Sequence, residues 1–207
     1  NCGAGSSSAW VGPFAFATNP ANDDCANAIH ITPSTTGSEV WISATTVGST
    51  ASGELTAADI SCSSVINFGS GRDIWFTTVV PVTGNITITT QASVGSALAD
   101  TIISVWSGTC GGLAGNEIEC NDDGGAGSFS EAVLTGLTSG DILFIRVHLY
   151  NNSAPTDSDD GAFQIAAHSV DPTLSLKTNI IDGFSMFPNP VKDILKLKVS
   201  MFFLTIY

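Results

Sequence analysis

The chain has 207 residues, 6 of them basic and 19 acidic, for a formal charge of −13 at neutral pH. So acidic a body repels phosphate backbones, which argues against nucleic-acid binding. No stretch approaches the ~20 apolar residues of a membrane-spanning helix. The length suits one sizeable core with small appendages. Asn1 is neither a Met nor the start of an apolar leader, which fits either a removed signal peptide or a start inside a longer protein.

In chain order, Ser8–Ala17 (SAWVGPFAFA) reads as an edge strand carrying Trp10, Phe14 and Phe16 and interrupted by Gly12-Pro13. The turn-rich Asn19-Pro20-Ala21-Asn22 follows. From there to Val170, short strands recur between turn signals: Ala28–Ile31, Glu39–Thr46, Asp73–Val80, Gly84–Thr90, Thr101–Trp106, Glu131–Leu134, Asp141–Leu149 and Ala162–Ala167. Ile86 and Ile88 alternate with Asn85, Thr87 and Thr89, while Leu143, Ile145, Val147 and Leu149 alternate with Phe144, Arg146 and His148. Period-two patterning over this many short strands predicts an all-β fold: an antiparallel β-sandwich, jelly-roll-like, with short flanking strands.

Five cysteines occur, Cys2, Cys25, Cys62, Cys110 and Cys120, and none forms a CxxC pair, which argues against a zinc ribbon or thioredoxin-type site. Cys110 and Cys120 flank the Gly-rich GGLAGNEIE, so a local disulfide between them is expected, with Cys25–Cys62 as the longer bridge and Cys2 left over. Bridges of this kind imply an oxidising, extracytoplasmic location, either secreted or at the outer cell surface.

The ordered landmarks of the body are ANDDCANAI, RDIWFTTVVP, GNITITT, ADTIISVWSGTCGG, ECNDDGGAGSFSEAVLTGLTSGD, FIRVHLY and GAFQIAA. Together they resemble the pre-peptidase C-terminal-like domain of secreted Bacteroidetes proteins, a β-sandwich accessory module found beside hydrolases and adhesins. NCGAGSSSAWVGPFAFAT resembles the end of a fibronectin type III domain. After a linker, GFSMFPNPVKDILKLKVS resembles the opening of the type A sorting domain of the type IX secretion system, through Phe187-Pro188-Asn189-Pro190, Asp193 and Leu195. The resemblances imply four segments: 1–18 as the end of a preceding domain, 19–170 as the sandwich, 171–182 as linker, and 183–207 as part of a sorting domain read by the type IX machinery.

Candidate chemistry lies in acidic loops. Asn22-Asp23-Asp24 opens the body and Asn121-Asp122-Asp123-Gly124-Gly125 sits in a Gly-rich loop. Oxygen-rich loops suit calcium, and equally suit turn capping by Asp23 and Asp122 through their own backbone. Calcium-binding relatives use an Asn-Asp pair at the domain entrance, which maps onto Asn22 and Asp23, and an acid before the Trp-Phe strand, here Asp73, could approach it. Asp157-Ser158-Asp159-Asp160-Gly161 is a third, less distinctive acidic loop. Asp100-Thr101-Ile102 resembles an O-glycosylation acceptor of Bacteroidetes.

His30, His148 and His168 form no HExxH and flank no G-x-S-x-G elbow, so the sequence offers no catalytic constellation. Trp41 and Trp106 are the candidates for an exposed sugar-stacking platform, whereas Trp75 in DIWFT is expected in the core. Two non-catalytic readings result. One is a structural or adhesive surface module that could form homo-oligomers or filaments through its terminal strands, Trp10–Phe16 and Ile194–Tyr207. The other is a calcium-dependent accessory domain of a secreted hydrolase, binding glycans or another polymer.

Overall fold

The computed structural model describes residues 18–62, 72–150 and 160–170. The chain divides into two compact units, Asn1–Leu174 and Ser175–Tyr207, and the described residues all belong to the first. Cys2, the Trp10–Phe16 strand, the linker, the sorting motif with Phe187, Pro188, Asn189, Pro190, Asp193 and Leu195, and both proposed donor strands lie outside the described residues.

Among the described residues, ten strands form two sheets. They are β1 (Ile29–His30), β2 (Ser34–Thr35), β3 (Ile42–Thr45), β4 (Asp73–Val79), β5 (Ile86–Ala92), β6 (Thr101–Ser107), β7 (Glu117–Asn121), β8 (Glu131–Leu134), β9 (Ile142–Leu149) and β10 (Ala162–Ser169). The first sheet runs β1-β4-β9-β6-β7. The second runs β2-β10-β5-β8, with β3 also on β10. The long pairings are antiparallel, but β1 joins β4, and β2 joins β10, in parallel, so both sheets are mixed rather than purely antiparallel. Both parallel pairs are two-residue edge strands too short to carry an alternation signal, and β2 was not expected at all. Neither was β7, because its Glu117 and Glu119 hide the strand pattern in an edge strand with every residue half-buried.

The core follows from the alternation. Ile74, Phe76, Ile103, Val105, Ile145 and Val147 of the first sheet face Ile86, Ile88, Ala132, Phe163, Ile165 and Ala167 of the second. Each fully buried aliphatic or Phe side chain here is worth roughly 1.5–3 kcal/mol.

The opposite face of the first sheet departs from simple alternation. Asp73, Arg146 and His148 point away from the core yet are buried, as are Trp75 and Trp106. Segments 20–28 and 50–62 fold over this face and create a second apolar cluster of Cys25, Leu55, Ile60, Trp75, Ile102, Trp106 and Leu113. Trp106 is therefore core: its ring lies 5.7 Å from that of Trp75 at 41°. It offers no surface to a ligand.

The disulfides clamp these covering segments, and their pairing corrects the expectation. Cys25 joins Cys110 and Cys62 joins Cys120, with Cα separations of 5.7 and 5.9 Å. Cys120 lies in β7 opposite Ser104, three residues down the β6–β7 hairpin from Ser107. That is roughly 10 Å of extended strand, while Cys110 sits beyond the hairpin end in a 3-10 turn, Cys110–Gly112. Bridging residues more than ~7 Å apart would require the backbone to move. Each observed bridge instead ties a strand or turn of the sheet to a distant flap.

Candidate functional site

Two features converge on the loop between β7 and β8. The first is an open groove of about 330 Å³ on the outer face of the second sheet. Its shape follows from strand register. One step beyond the Ile42–Ile165 pair, Trp41 lies beside Ala166, which pairs with Thr89, which pairs with Glu131. Ala166 is small and buried and Thr89 is 8% exposed, so they form a low floor. Half-buried Trp41 and Glu39 rise on one side, and Glu131 with Gly124-Gly125 on the other. Gln91 and His168 also line it.

The glycines have a steric reason to be there. A Cβ on Gly124 would sit 2.6 Å from the Glu131 carbonyl oxygen, and one on Gly125 2.6 Å from that of Phe129. The loop is pinned from within. Asn121 Oδ1 accepts from the N–H groups of Gly124 (2.9 Å) and Glu131 (3.0 Å), and Ser130 Oγ donates to the Asp122 carbonyl (2.8 Å).

The second feature is an acidic trio. Asp122 and Asp123 meet Asp100, with one carboxylate oxygen of each within 4.8 Å of the others. The bridge between Asp100 and Ser128 holds the loop at this point. Asp100 Oδ1 and Asp122 Oδ1 are buried atoms without a hydrogen-bond partner. Burial, reinforced by the charges of Asp122 and Asp123, pushes the Asp100 carboxyl up to about 7. Burial and Asp123 also raise Asp122. Three converging carboxylates, two of them with oxygens buried and unpaired, are a donor set suited to a hard divalent cation.

Of the other acids singled out from the sequence, Asp157 and Asp159 lie outside the described residues, while Asp23, Asp73 and Asp160 are engaged by the protein itself. Asn22, Asp23 and Asp73 do come to one corner, as the resemblance implied, because Asn22 accepts from the Trp75 N–H and Thr50 bridges to both acids. Asn22 Nδ2 donates to the Trp75 carbonyl at 2.8 Å. Asp23 accepts from the Thr50 N–H (2.6 Å), Thr50 Oγ1 (2.8 Å) and Asn19 Nδ2 (2.7 Å). Asp73 is ion-paired with Arg146 and accepts from Ser52 Oγ (2.6 Å). Burial raises the Asp73 carboxyl, against the opposing pull of Arg146 and Ser52. Asp24 is exposed at the start of a 3-10 turn. This corner lies three strand spacings from Asp122, roughly 14 Å. Asp160, from the third acidic loop, is ion-paired with Arg72.

Asp100 was missed as a ligand because its partners are 22 and 23 residues away, and only the β6–β7 pairing brings them together. The glycosylation reading of the same tripeptide fails on burial: Thr101 is wholly buried, with its Oγ1 2.7 Å from Thr90 Oγ1. Trp41 keeps the exposure a platform needs. Of the histidines, His30 is on an exposed edge strand and His168 is in the groove. His148 is buried with neither ring nitrogen paired.

A family model described as galactose binding domain-like, associated with type IX secretion, matches residues 21–165. The chain belongs to this family. The galactose-binding-domain-like match runs from before β1 into β10 and bears out the type IX association and the β-sandwich expected from the sequence. Together with the two disulfides, it makes this an extracytoplasmic, secreted protein. No protein of curated function matches the chain in sequence. Among solved structures, PliG of Aeromonas hydrophila, a periplasmic inhibitor of g-type lysozyme, is 10% identical with a TM-score of 0.37, over 68% of this chain and 95% of its own. CorA of Methylomicrobium album BG8, a surface-associated copper-binding protein, is 10% identical with a TM-score of 0.38, over 70% of this chain and 99% of its own. No helix among the described residues is long and apolar enough to cross a membrane.

Proposed function

We propose that this chain is a non-catalytic, carbohydrate-binding module of a type IX-secreted surface protein, attaching its parent to a glycan. The groove beside Trp41 carries the reading. A half-exposed indole provides an apolar face for the C–H side of a sugar ring, while Glu39, Glu131, Gln91 and His168 offer hydrogen-bonding groups to its hydroxyls. Family membership is consistent with this.

Calcium dependence is the second element of the proposal, and it rests on Asp100, Asp122 and Asp123 rather than on Asn22, Asp23 or Asp73. Asp122 and Asp123 are followed directly by Gly124 and Gly125 of the groove wall, so one loop would serve cation and sugar together. The test is isothermal titration of the purified chain against a panel of oligosaccharides, with calcium or chelator. Binding that disappears in Trp41→Ala, while the fold persists by circular dichroism, supports the reading. Failure of every glycan to bind at millimolar concentration sinks it.

A further inference from the structure

We infer that the groove selects sugars carrying a free, protonated amine, that is, amino-sugar units of a glycan, over neutral or acidic ones. This rests on the carbohydrate-binding reading above and adds the substrate class.

The argument is one of charge complementarity around a single aromatic face. Glu39 and Glu131 stand on opposite walls of the groove. Glu39 is held ionised: the Gly37 N–H donates to its Oε1 at 2.6 Å, and backbone hydrogen bonds keep its carboxyl below the usual range. Among the described residues, no lysine or arginine lines the groove. The two arginines among the described residues are committed elsewhere, Arg72 to Asp160 and Arg146 to Asp73. His168, the one basic side chain among the described residues lining it, sits with its Nδ1 3.1 Å from Thr36 Oγ1 and 3.9 Å from Glu39 Oε1.

A uronic or sulfated sugar over Trp41 would therefore meet two carboxylates without a counter-charge. An ammonium group would meet a carboxylate on whichever wall it approaches, Glu39 or Glu131, and an aromatic face that also favours cations. Trp41 supplies what a merely acidic surface lacks: a requirement for the flat sugar ring as well as for the charge.

The test compares short oligomers of β-linked glucosamine, their N-acetylated counterparts and oligogalacturonate, all at one pH below the amine pKa and at physiological salt. The glucosamine oligomer is expected to bind at least 10-fold tighter than the N-acetylated one, with oligogalacturonate weakest. Glu131→Gln and Glu39→Gln should each shrink that preference several-fold, and Trp41→Ala should abolish binding of both neutral and amino oligomers. Equal or tighter binding of the N-acetylated oligomer overturns the selectivity while leaving the carbohydrate reading intact. Binding of none overturns both. A short oligolysine that competes equally, with Trp41→Ala without effect, would reduce the preference to general attraction by an acidic protein and overturn the inference as well.

Discussion

Trp41 and Glu131 face one another across the second sheet, three strand spacings apart, with only Ala166 and Thr89 between them. A tall–low–low–tall row of this kind makes a trough on an otherwise flat sheet, and it separates the two tryptophans that the sequence could not tell apart. Trp41→Ala should lower glycan affinity at least 10-fold and leave the melting temperature within a few degrees. Trp106→Ala removes a wholly buried ring and should destabilise the domain by roughly 3–5 kcal/mol. Paired binding and thermal-melt measurements on the two variants check this; a large stability loss in Trp41→Ala would place that ring in the core instead.

Disulfide connectivity is the most direct check on the fold. Non-reducing peptide mapping should recover Cys25–Cys110 and Cys62–Cys120, not Cys110–Cys120. The bridged residues are 85 and 58 positions apart, so replacing either pair with serines should cost roughly 2–4 kcal/mol. Because both bridges hold the cover over Trp75, that loss should be accompanied by increased tryptophan exposure in fluorescence.

The pH profile should record two opposed groups. Asp100, raised from 3.8 to about 7, binds its proton more tightly in the folded chain. Its contribution is complete below pH 3.8 and is lost as pH rises to 7. His148 moves the other way: burial, with the Arg146 guanidinium close by, holds it well below 6.5. Its contribution is present above 6.5 and is lost as pH falls. Asp122 and Asp123 face Asp100, and Arg146 acts on His148, so the two responses have separate surroundings. The Asp100 and His148 contributions therefore oppose one another between pH 4 and 6.5, with Asp73 and Asp122, also raised by burial, adding to the Asp100 side. Asp100→Asn should expose the acid-side loss as a steeper slope, and His148→Met should remove it.

Calcium should act on the same pH window. An ion held by Asp100, Asp122 and Asp123 would compete with the proton on Asp100, so millimolar calcium should raise the melting temperature at pH 7 more than at pH 4. Asp123→Asn should weaken that shift without altering the disulfides. A melting temperature insensitive to calcium at both pH values would refute a cation at this trio.

Much of the sandwich was legible in the strands whose residues alternate cleanly. β5, β8, β9 and β10 lie within two residues of their expected limits, because Ile, Leu and Val at every second position commit one face to the core. Two of the edges were not legible. β2 is two residues long and β7 carries glutamates, so pairing rather than pattern defines them, whereas β1 falls within the strand expected at Ala28–Ile31. The outer face of β9 shows why the polar half of an alternation is a weak guide. Phe144, Arg146 and His148 read as a solvent face, but two remote segments cover them. The candidate site was half legible. Asp122, Asp123 and Trp41 stood out by residue type, whereas Asp100, Glu39 and Glu131 acquire meaning only from the register of strands distant in sequence.

The position of β10 carries a consequence for how the molecule is made. It lies at the centre of the second sheet, flanked by β5 on one side and β2 and β3 on the other, yet it is the last strand in the described chain. Every strand of the first sheet has been synthesised once residue 149 is in place, whereas β2 and β3 have no neighbour until residues 162–169 arrive. A growing chain therefore carries β2 and β3 unpaired while the first sheet is already complete, and assembly of the second sheet waits on its final strand.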